Sequence, residues 1–311
     1  MFGLRSDSIV GAAARNDHAA CSGCSLCLLV CPVWRRTHDP RMTPEGRAKA
    51  LQHGASAAQI ADSVHSCTLC GACEPVCPEE IDLVGMTLDL RTRLADGAAV
   101  QALQSKMETK AAYPAASVSA SVVLLPGPAM RAMPEALARI AALLGGTPCA
   151  DEGADIAQAI ESGVPVPRKR LDSFVAYLRG ARTIVVEDGL WMRHLRAWLP
   201  KARLVGFGEA LSSLAAVRRG LRKSDLYVIE PRSYHGDYER LVKHYDRLRA
   251  ERGCAFNLDL QRVAIPAAGQ ADWILKGRSV DRIVVERLED GAPFESRGGP
   301  PVVHLAELAD H

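Results

Sequence analysis

The chain is poor in aromatic residues: five Phe, six Tyr and four Trp make up 5% of 311 residues. So few rings leave no visible platform on which successive bases stack. Charge of either sign is not in excess. Lys and Arg number 38 against 36 Asp and Glu, for a net charge of +2, which excludes nucleic-acid binding driven by bulk charge. No apolar run approaches the length of a membrane span. Met1–Ala20 lacks the apolar core of a signal peptide, so a reducing, cytoplasmic setting is expected. Gly206-x-Gly208 stands alone, without the full Gly-x-Gly-x-x-Gly of a dinucleotide loop. What remains is enough for a sizeable core, at 48% apolar residues, and a length that suits two domains.

Cysteine is where the chain departs from the ordinary. Eight of its ten cysteines form one run written twice: Cys21-x-x-Cys24-x-x-Cys27-x-x-x-Cys31-Pro32 and Cys67-x-x-Cys70-x-x-Cys73-x-x-x-Cys77-Pro78. Each cysteine of the second run lies 46 positions after its counterpart. A cubane cluster needs four converging thiolates. Three come from a tight loop in which every third residue returns to one point, and in two-cluster ferredoxins the fourth cysteine of such a run ligates the other cluster. The spacing therefore predicts one [4Fe–4S] cluster on Cys21, Cys24, Cys27 and Cys77, and a second on Cys67, Cys70, Cys73 and Cys31. Disulfides do not suit two metal-type runs with no signal peptide before them. Two zinc sites would also use eight thiolates, but a fused run ending in Cys-Pro is the bacterial ferredoxin pattern. The backbone N–H groups of Ser22–Leu26 and Thr68–Ala72 are the expected donors to cluster sulfur, and Trp34 is an expected apolar shield.

Residues 1–20 read as an N-terminal arm and 21–95 as an α-helical two-cluster domain. Between the cysteine runs, Thr43 is a good N-cap with Pro44 at the first helical position. Further helices are expected over Ser56–Val64 and Leu83–Leu94, the latter from Leu83, Met86, Leu90 and Leu94 at helical spacing. Residues 96–118 read as a linker or weak helix. From 119 to 311, short β-branched runs alternate with amphipathic helices, which predicts an α/β domain with a mainly parallel sheet. The expected strands are Ser121–Leu125, Thr183–Glu187, Arg203–Phe207, Leu226–Glu230, Arg262–Ile265, Arg282–Glu286 and Pro301–His304, with helices at about 134–144 and 237–252. Ile184-Val185-Val186-Glu187 recurs 99 positions later as Ile283-Val284-Val285-Glu286. Together with matched starts at Ser121 and Leu226, this predicts two Rossmann-like repeats, about 119–215 and 225–311.

The two runs, the Thr43-Pro44-Glu45-Gly46-Arg47 helix start and the Cys67–Pro78 segment resemble the iron–sulfur subunit of glycolate oxidase. They are similar also to the iron–sulfur subunits of anaerobic glycerol-3-phosphate dehydrogenase and of heterodisulfide reductase. The C-terminal half resembles the duplicated cysteine-rich domain of that family, as in the cysteine-rich subunit of heterodisulfide reductase. The resemblance implies Cys-Cys-Gly motifs that bind a further cluster. Here Asp151-Glu152-Gly153 follows Cys149, and Ile265-Pro266-Ala267-Ala268-Gly269 stands in the second repeat. Glu187–Trp191 and Glu230–His235 also lack the expected cysteines. Isolated Cys149 and Cys254 do not supply a cluster, so the C-terminal metal site is expected to be lost.

The resulting expectation is a non-catalytic electron-transfer subunit relaying single electrons through two [4Fe–4S] clusters. Its implied partners are a flavoprotein dehydrogenase or heterodisulfide reductase-like subunits, with an iron–sulfur, quinone-linked or disulfide-active acceptor. Attachment to the inner face of the cytoplasmic membrane would come only through a partner. The alternatives are substrate or disulfide chemistry in the C-terminal domain, or a scaffold stabilised by its clusters. Three lesser candidates remain. Asp188 and Glu152 form an acid/base pair only if the fold joins them. His235 is either a relic of a cysteine–histidine motif or a packed or surface histidine. The basic groups Arg168-Lys169-Arg170 and Arg218-Arg219 with Arg222-Lys223 read as solvated faces, with docking of an acidic partner or an anionic surface as the alternative.

Overall fold

A computed structural model describes residues 17–112, 116–295 and 298–310. Most of the expected arm, and Tyr113-Pro114, lie outside these; His18–Ala20 form one 3-10 turn. The segment from 17 to 112 is helical. Helix Leu26–Val30 carries the third cysteine, Cys27, and Pro32–Thr37 follows the fourth, Cys31. The helix Pro44–Gln52 starts where its cap predicts, the Gly46 N–H donating to the Thr43 hydroxyl at 3.1 Å. The expected Ser56–Val64 helix is divided into a 3-10 turn, Ala58–Ile60, and a helix, Ala61–Ser66. Leu83–Leu94 is a helix capped by Asp82. The expected linker contains a regular helix, Gly97–Ala112, because Leu103 and Met107 fall on one stripe and bury against Ala159 and Val164. Among the described residues, no helix is long and apolar enough to cross a membrane.

The remainder holds two four-stranded parallel sheets. The first comprises β1 (Val122–Leu125), β2 (Thr147–Pro148), β3 (Thr183–Val186) and β4 (Arg203–Gly206) in the order β2-β1-β3-β4. The second comprises β5 (Asp225–Val228), β6 (Ala255–Phe256), β7 (Arg282–Val285) and β8 (Val302–His304) in the order β6-β5-β7-β8. The two orders correspond strand for strand. Register follows the hydrophobic runs, with Val122 opposite Thr183 and Asp225 opposite Arg282. Alternation assigns the faces. Leu124, Val185, Tyr227 and Val284 enter one core shared by both sheets, which also takes in Phe207, Leu211 and Tyr245. Val123, Leu125, Ile184 and Val186 face a second core with Phe174 and Trp191. Leu226, Val228, Ile283 and Val285 face a third with Ile274 and Phe294. Each sheet is thus covered on both sides, as parallel sheets require.

One expected strand is absent. Arg262–Ile265 does not join the sheet: Arg262 has φ +62° and the chain turns back, with a single antiparallel bridge between Leu258 and Ala264. The edge position is taken by β6, two residues beginning just after Cys254.

Candidate metal centre

The two cysteine loops share one backbone device. In the first, Gly23 (φ +80°) and Ser25 (φ +62°) are left-handed; in the second, the equivalent positions are Leu69 (φ +56°) and Gly71 (φ +78°). A left-handed residue on each side of the second cysteine curls the loop so that side chains at every third position turn inward. Loops of this kind also aim successive N–H groups into one concavity, an arrangement common at phosphate and iron–sulfur sites.

The loops do not each enclose their own four cysteines. One cavity is lined by Cys21, Cys24, Cys27 and Cys77, with Glu45, and a neighbouring one by Cys31, Cys67, Cys70 and Cys73, with Arg47. Leu83, first residue of its helix, lies in the wall of both. The last cysteine of each run therefore stands with the first three of the other. The first set includes exposed Cys24 beside buried Cys27, whereas the second has Cys31 and Cys70 buried and no exposed member, so the first is the outer and the second the inner set. Among the described residues, no three His, Cys, Asp or Glu side chains form a set for a single metal ion. The donor set and its placement around two hollows suit a cluster, which is larger than an ion.

Burial pushes the Cys27 thiol up to about 12 and Cys70 up to about 11, and raises Cys31 and Cys73 also. Bare, these thiols hold their protons, so metal binding must displace them and is coupled to pH. Several donors oppose that rise. The Glu45 N–H donates to Cys27, those of Val33 and Trp34 to Cys31, and the Ala72 N–H and Thr68 hydroxyl to Cys70. Only the last two lie within the loop segments where donors were expected. Glu45 belongs to the first turn of the helix Pro44–Gln52, whose positive end thus points at the thiols. Gly46 is required there: a Cβ would sit 2.1 Å from the Pro40 carbonyl oxygen. Trp34 is no shield. It meets His38 edge-on, and Val33 lines the inner cavity instead.

The α/β region clasps this helical segment through the helices Leu190–Trp198 and Pro231–Gly236 and through residues Asp259 and Gln270. The imidazole of His235, just beyond β5, donates from Nδ1 to the Cys70 carbonyl at 2.7 Å, and its Nε2 accepts from the Ala264 N–H at 3.1 Å. Burial lowers His235 to about 4, so it is neutral. Arg232 donates to the Thr68 carbonyl at 3.1 Å and pairs with Asp188 at 3.0 Å. Arg193 pairs with Glu74 at 2.8 Å and with Asp82. Gln270 donates to the Pro32 carbonyl at 3.0 Å, and Arg35 pairs with Asp259 at 2.6 Å. Both loops that carry the inner set are held from outside their own segment.

Residues 17–81 match the 4Fe-4S dicluster domain family. No curated protein and no solved structure matches the chain. The match supports 4Fe-4S cluster binding by the N-terminal helical region, and iron–sulfur electron transfer is the chemistry such a domain suggests.

The other sequence candidates disperse. Asp188 pairs with Arg232 and Arg287, while Glu152 lies near Lys110 and Arg131 at 3.8 and 3.7 Å. Cys149 and Cys254 are buried in different cores, their thiols pushed up to about 12 and about 11 by burial. Arg170, read as part of a solvated face, is buried and pairs with Asp151 and Asp155 at 2.6 and 2.7 Å. Asp151 thus serves an ion-pair network. Gly208 packs against the Glu286 carboxylate and has no open loop. Sequence reasoning overlooked Glu45 and Arg47 as site residues, although both stand in the Pro-Glu-Gly-Arg string that it singled out.

Proposed function

We propose that this chain is the electron-transfer iron–sulfur subunit of a multi-subunit oxidoreductase, of the type found in glycolate oxidase, anaerobic glycerol-3-phosphate dehydrogenase and heterodisulfide reductase. Cys21, Cys24, Cys27 and Cys77 hold one [4Fe–4S] cluster, and Cys67, Cys70, Cys73 and Cys31 hold the other. The observation that carries this reading is the exchange of the last cysteine between two adjacent cavities. When bound, the clusters supply one-electron transfer without making or breaking a bond. The chain's own residues hold the thiolates, aim N–H groups at them and keep water from the inner set. Exposed Cys24, with Leu26 and Leu29 exposed by 42% and 54%, marks the face for a flavoprotein donor. A cleft of about 210 Å³, lined by Leu69, Cys70, Gly71, Arg193, Arg232 and His235, reaches the inner set at Cys70 and suits an acceptor.

We further take 21–95 as an α-helical ferredoxin domain and 119–311 as two Rossmann-like repeats that lost their cluster cysteines. Matching strand orders support that division. The second domain then shields and docks. A cytoplasmic complex, reaching a membrane only through a partner, fits this role. Anaerobic reconstitution should yield about eight iron and eight sulfide per chain, and Cys31→Ser and Cys77→Ser should each lose about half. About twelve of each would mean that the C-terminal domain keeps a cubane. Isolation as a stable, catalytically active monomer would defeat the subunit assignment.

A further inference from the structure

Arg47 is a buried cation that makes no ion pair with a carboxylate among the described residues. It is 2% exposed, and its Nη1 donates to the Ser63 carbonyl at 2.9 Å, the Met42 carbonyl at 3.3 Å and the Ser63 hydroxyl at 3.3 Å. Its Nε has no partner among the described residues. Carbonyls and a hydroxyl solvate a guanidinium but do not cancel its charge, and an uncompensated buried charge is costly. What Arg47 does face is the inner cavity with Cys31, Cys67, Cys70 and Cys73. Arg91, 7% exposed, donates to the Cys67 carbonyl at 2.6 Å and the Glu161 carbonyl at 2.6 Å, but unlike Arg47 it feels the nearby Glu161 carboxylate. The acid beside Cys73, Glu74, is held by Arg193 at 2.8 Å.

The outer cavity has the opposite balance. Glu45 and Glu79 line it, and one oxygen of Glu45 is buried with no partner among the described residues. The nearby cation is Lys49, whose Nζ donates to the Cys21 carbonyl at 2.8 Å and to Gln52 at 2.9 Å. Glu45 and Arg47 are two positions apart in the first turn of one helix. The helix start that fits between the two sets thus delivers an anion to the outer one and a cation to the inner one.

We propose that the helix Pro44–Gln52 sets the order of the two centres: Arg47 lifts the reduction potential of the inner cluster above that of the outer, and Glu45 lowers the outer. Reduction adds one negative charge, which a nearby cation stabilises and a nearby anion opposes, and buried charges are weakly screened. The transfer is one electron leaving the outer cluster, which is oxidised, and entering the inner, which is reduced; no proton, bond or further reactant takes part. Electrons entering near Cys24 therefore collect at the buried set, beside the cleft.

This ordering rests on the two-cluster reading above, so the test begins with iron and sulfide content of the reconstituted full chain. A chain that does not load two clusters sinks that reading and the ordering with it; a loaded chain tests the ordering alone. Potentiometric titration followed by EPR should resolve two midpoints, with Cys24→Ser altering the signal that titrates at the lower one. Arg47→Gln should shift the higher midpoint down and leave the lower in place. Arg47→Lys should restore most of that shift, and Glu45→Gln should raise the lower midpoint alone. Glu45→Gln leaves the inner set untouched, so an unchanged lower midpoint in that variant overturns the ordering even if Arg47→Gln fails to load. The proposal is overturned if Cys24→Ser perturbs the higher-midpoint signal, if Arg47→Gln moves neither midpoint or only the lower, if Arg47→Lys behaves as Arg47→Gln, or if the Glu45→Gln midpoints equal those of the parent.

Discussion

Leu69 shows how a single residue serves the centre at a local cost. It holds φ +56°, where the equivalent position in the first loop is Gly23. The left-handed conformation costs an L-residue roughly 1–2 kcal/mol. Leu69 is nevertheless 3% exposed, packed on Val84 and on Leu190 of the α/β region. Truncating a buried leucine costs about 2–5 kcal/mol, so packing outweighs strain. Leu69→Gly should lower stability by about 1–3 kcal/mol, read from denaturant midpoints; a more stable variant would mean that the loop conformation dominates. His304 illustrates a different residue-scale effect. It is 3% exposed, its Nε2 donating to the Glu286 carbonyl at 3.1 Å and its Nδ1 accepting from the Ala306 N–H at 3.2 Å. Burial lowers it from 6.5 to about 4. The neutral ring's contribution is therefore whole above pH 6.5 and falls away as pH drops toward 4, with about 2 kcal/mol lost by pH 5. His304→Asn should show a smaller drop in urea midpoint between pH 7 and pH 5 than the parent chain; an identical drop would refute this.

At the scale of elements, the helix Pro44–Gln52 is the piece on which the centre turns. Its cap, its first-turn proline and its glycine are local features, and all are legible in the sequence. What they accomplish is not local. Gly46 lets the helix lie against the Pro40–Arg41 backbone, and that contact brings the Glu45 N–H to Cys27. Gly46→Ala should gain about 1 kcal/mol of helix propensity, but the added methyl meets backbone at 2.1 Å, an overlap that costs about 1–3 kcal/mol and shifts the helix. Lower iron content and a lower melting temperature are expected; unchanged iron content would show that the helix position is not needed. Elements of four residues or more with a clear hydrophobic period were readable, such as Leu83–Leu94, β1, β3 and β7. Strands β2 and β6 have two residues each, too few for any period, and exist because β1 and β5 offer a free edge.

For the molecule as a whole, the decisive feature is that the α/β region grips the cysteine loops. His235 and Arg232 each bind a carbonyl of the second loop, at 2.7 and 3.1 Å. His235→Ala would leave the Cys70 carbonyl without that donor and open the cleft beside it, a buried loss of about 1–3 kcal/mol. Iron release to a chelator should become faster for the inner set, while the outer set keeps its rate. Equal acceleration of both would argue for general unfolding, and no acceleration would mean that the clasp gives no protection.

The sequence by itself determined the local facts: eight thiols at a metal-type spacing, a capped helix between them, and strands whose alternation assigns their faces. Short-range periodicity and capping need only a few neighbouring residues, so a string of letters carries them. The spacing also assigned the thiols to two crossed sets. Only the tertiary structure decided that Glu45 turns to one set and Arg47 to the other, and that His235, 165 positions from Cys70, closes over it. It also converted Arg170 from a surface charge into a buried ion pair and removed Arg262–Ile265 from the sheet. Each of these depends on contacts between distant segments, where burial and charge compensation are settled jointly by partners that no local window contains.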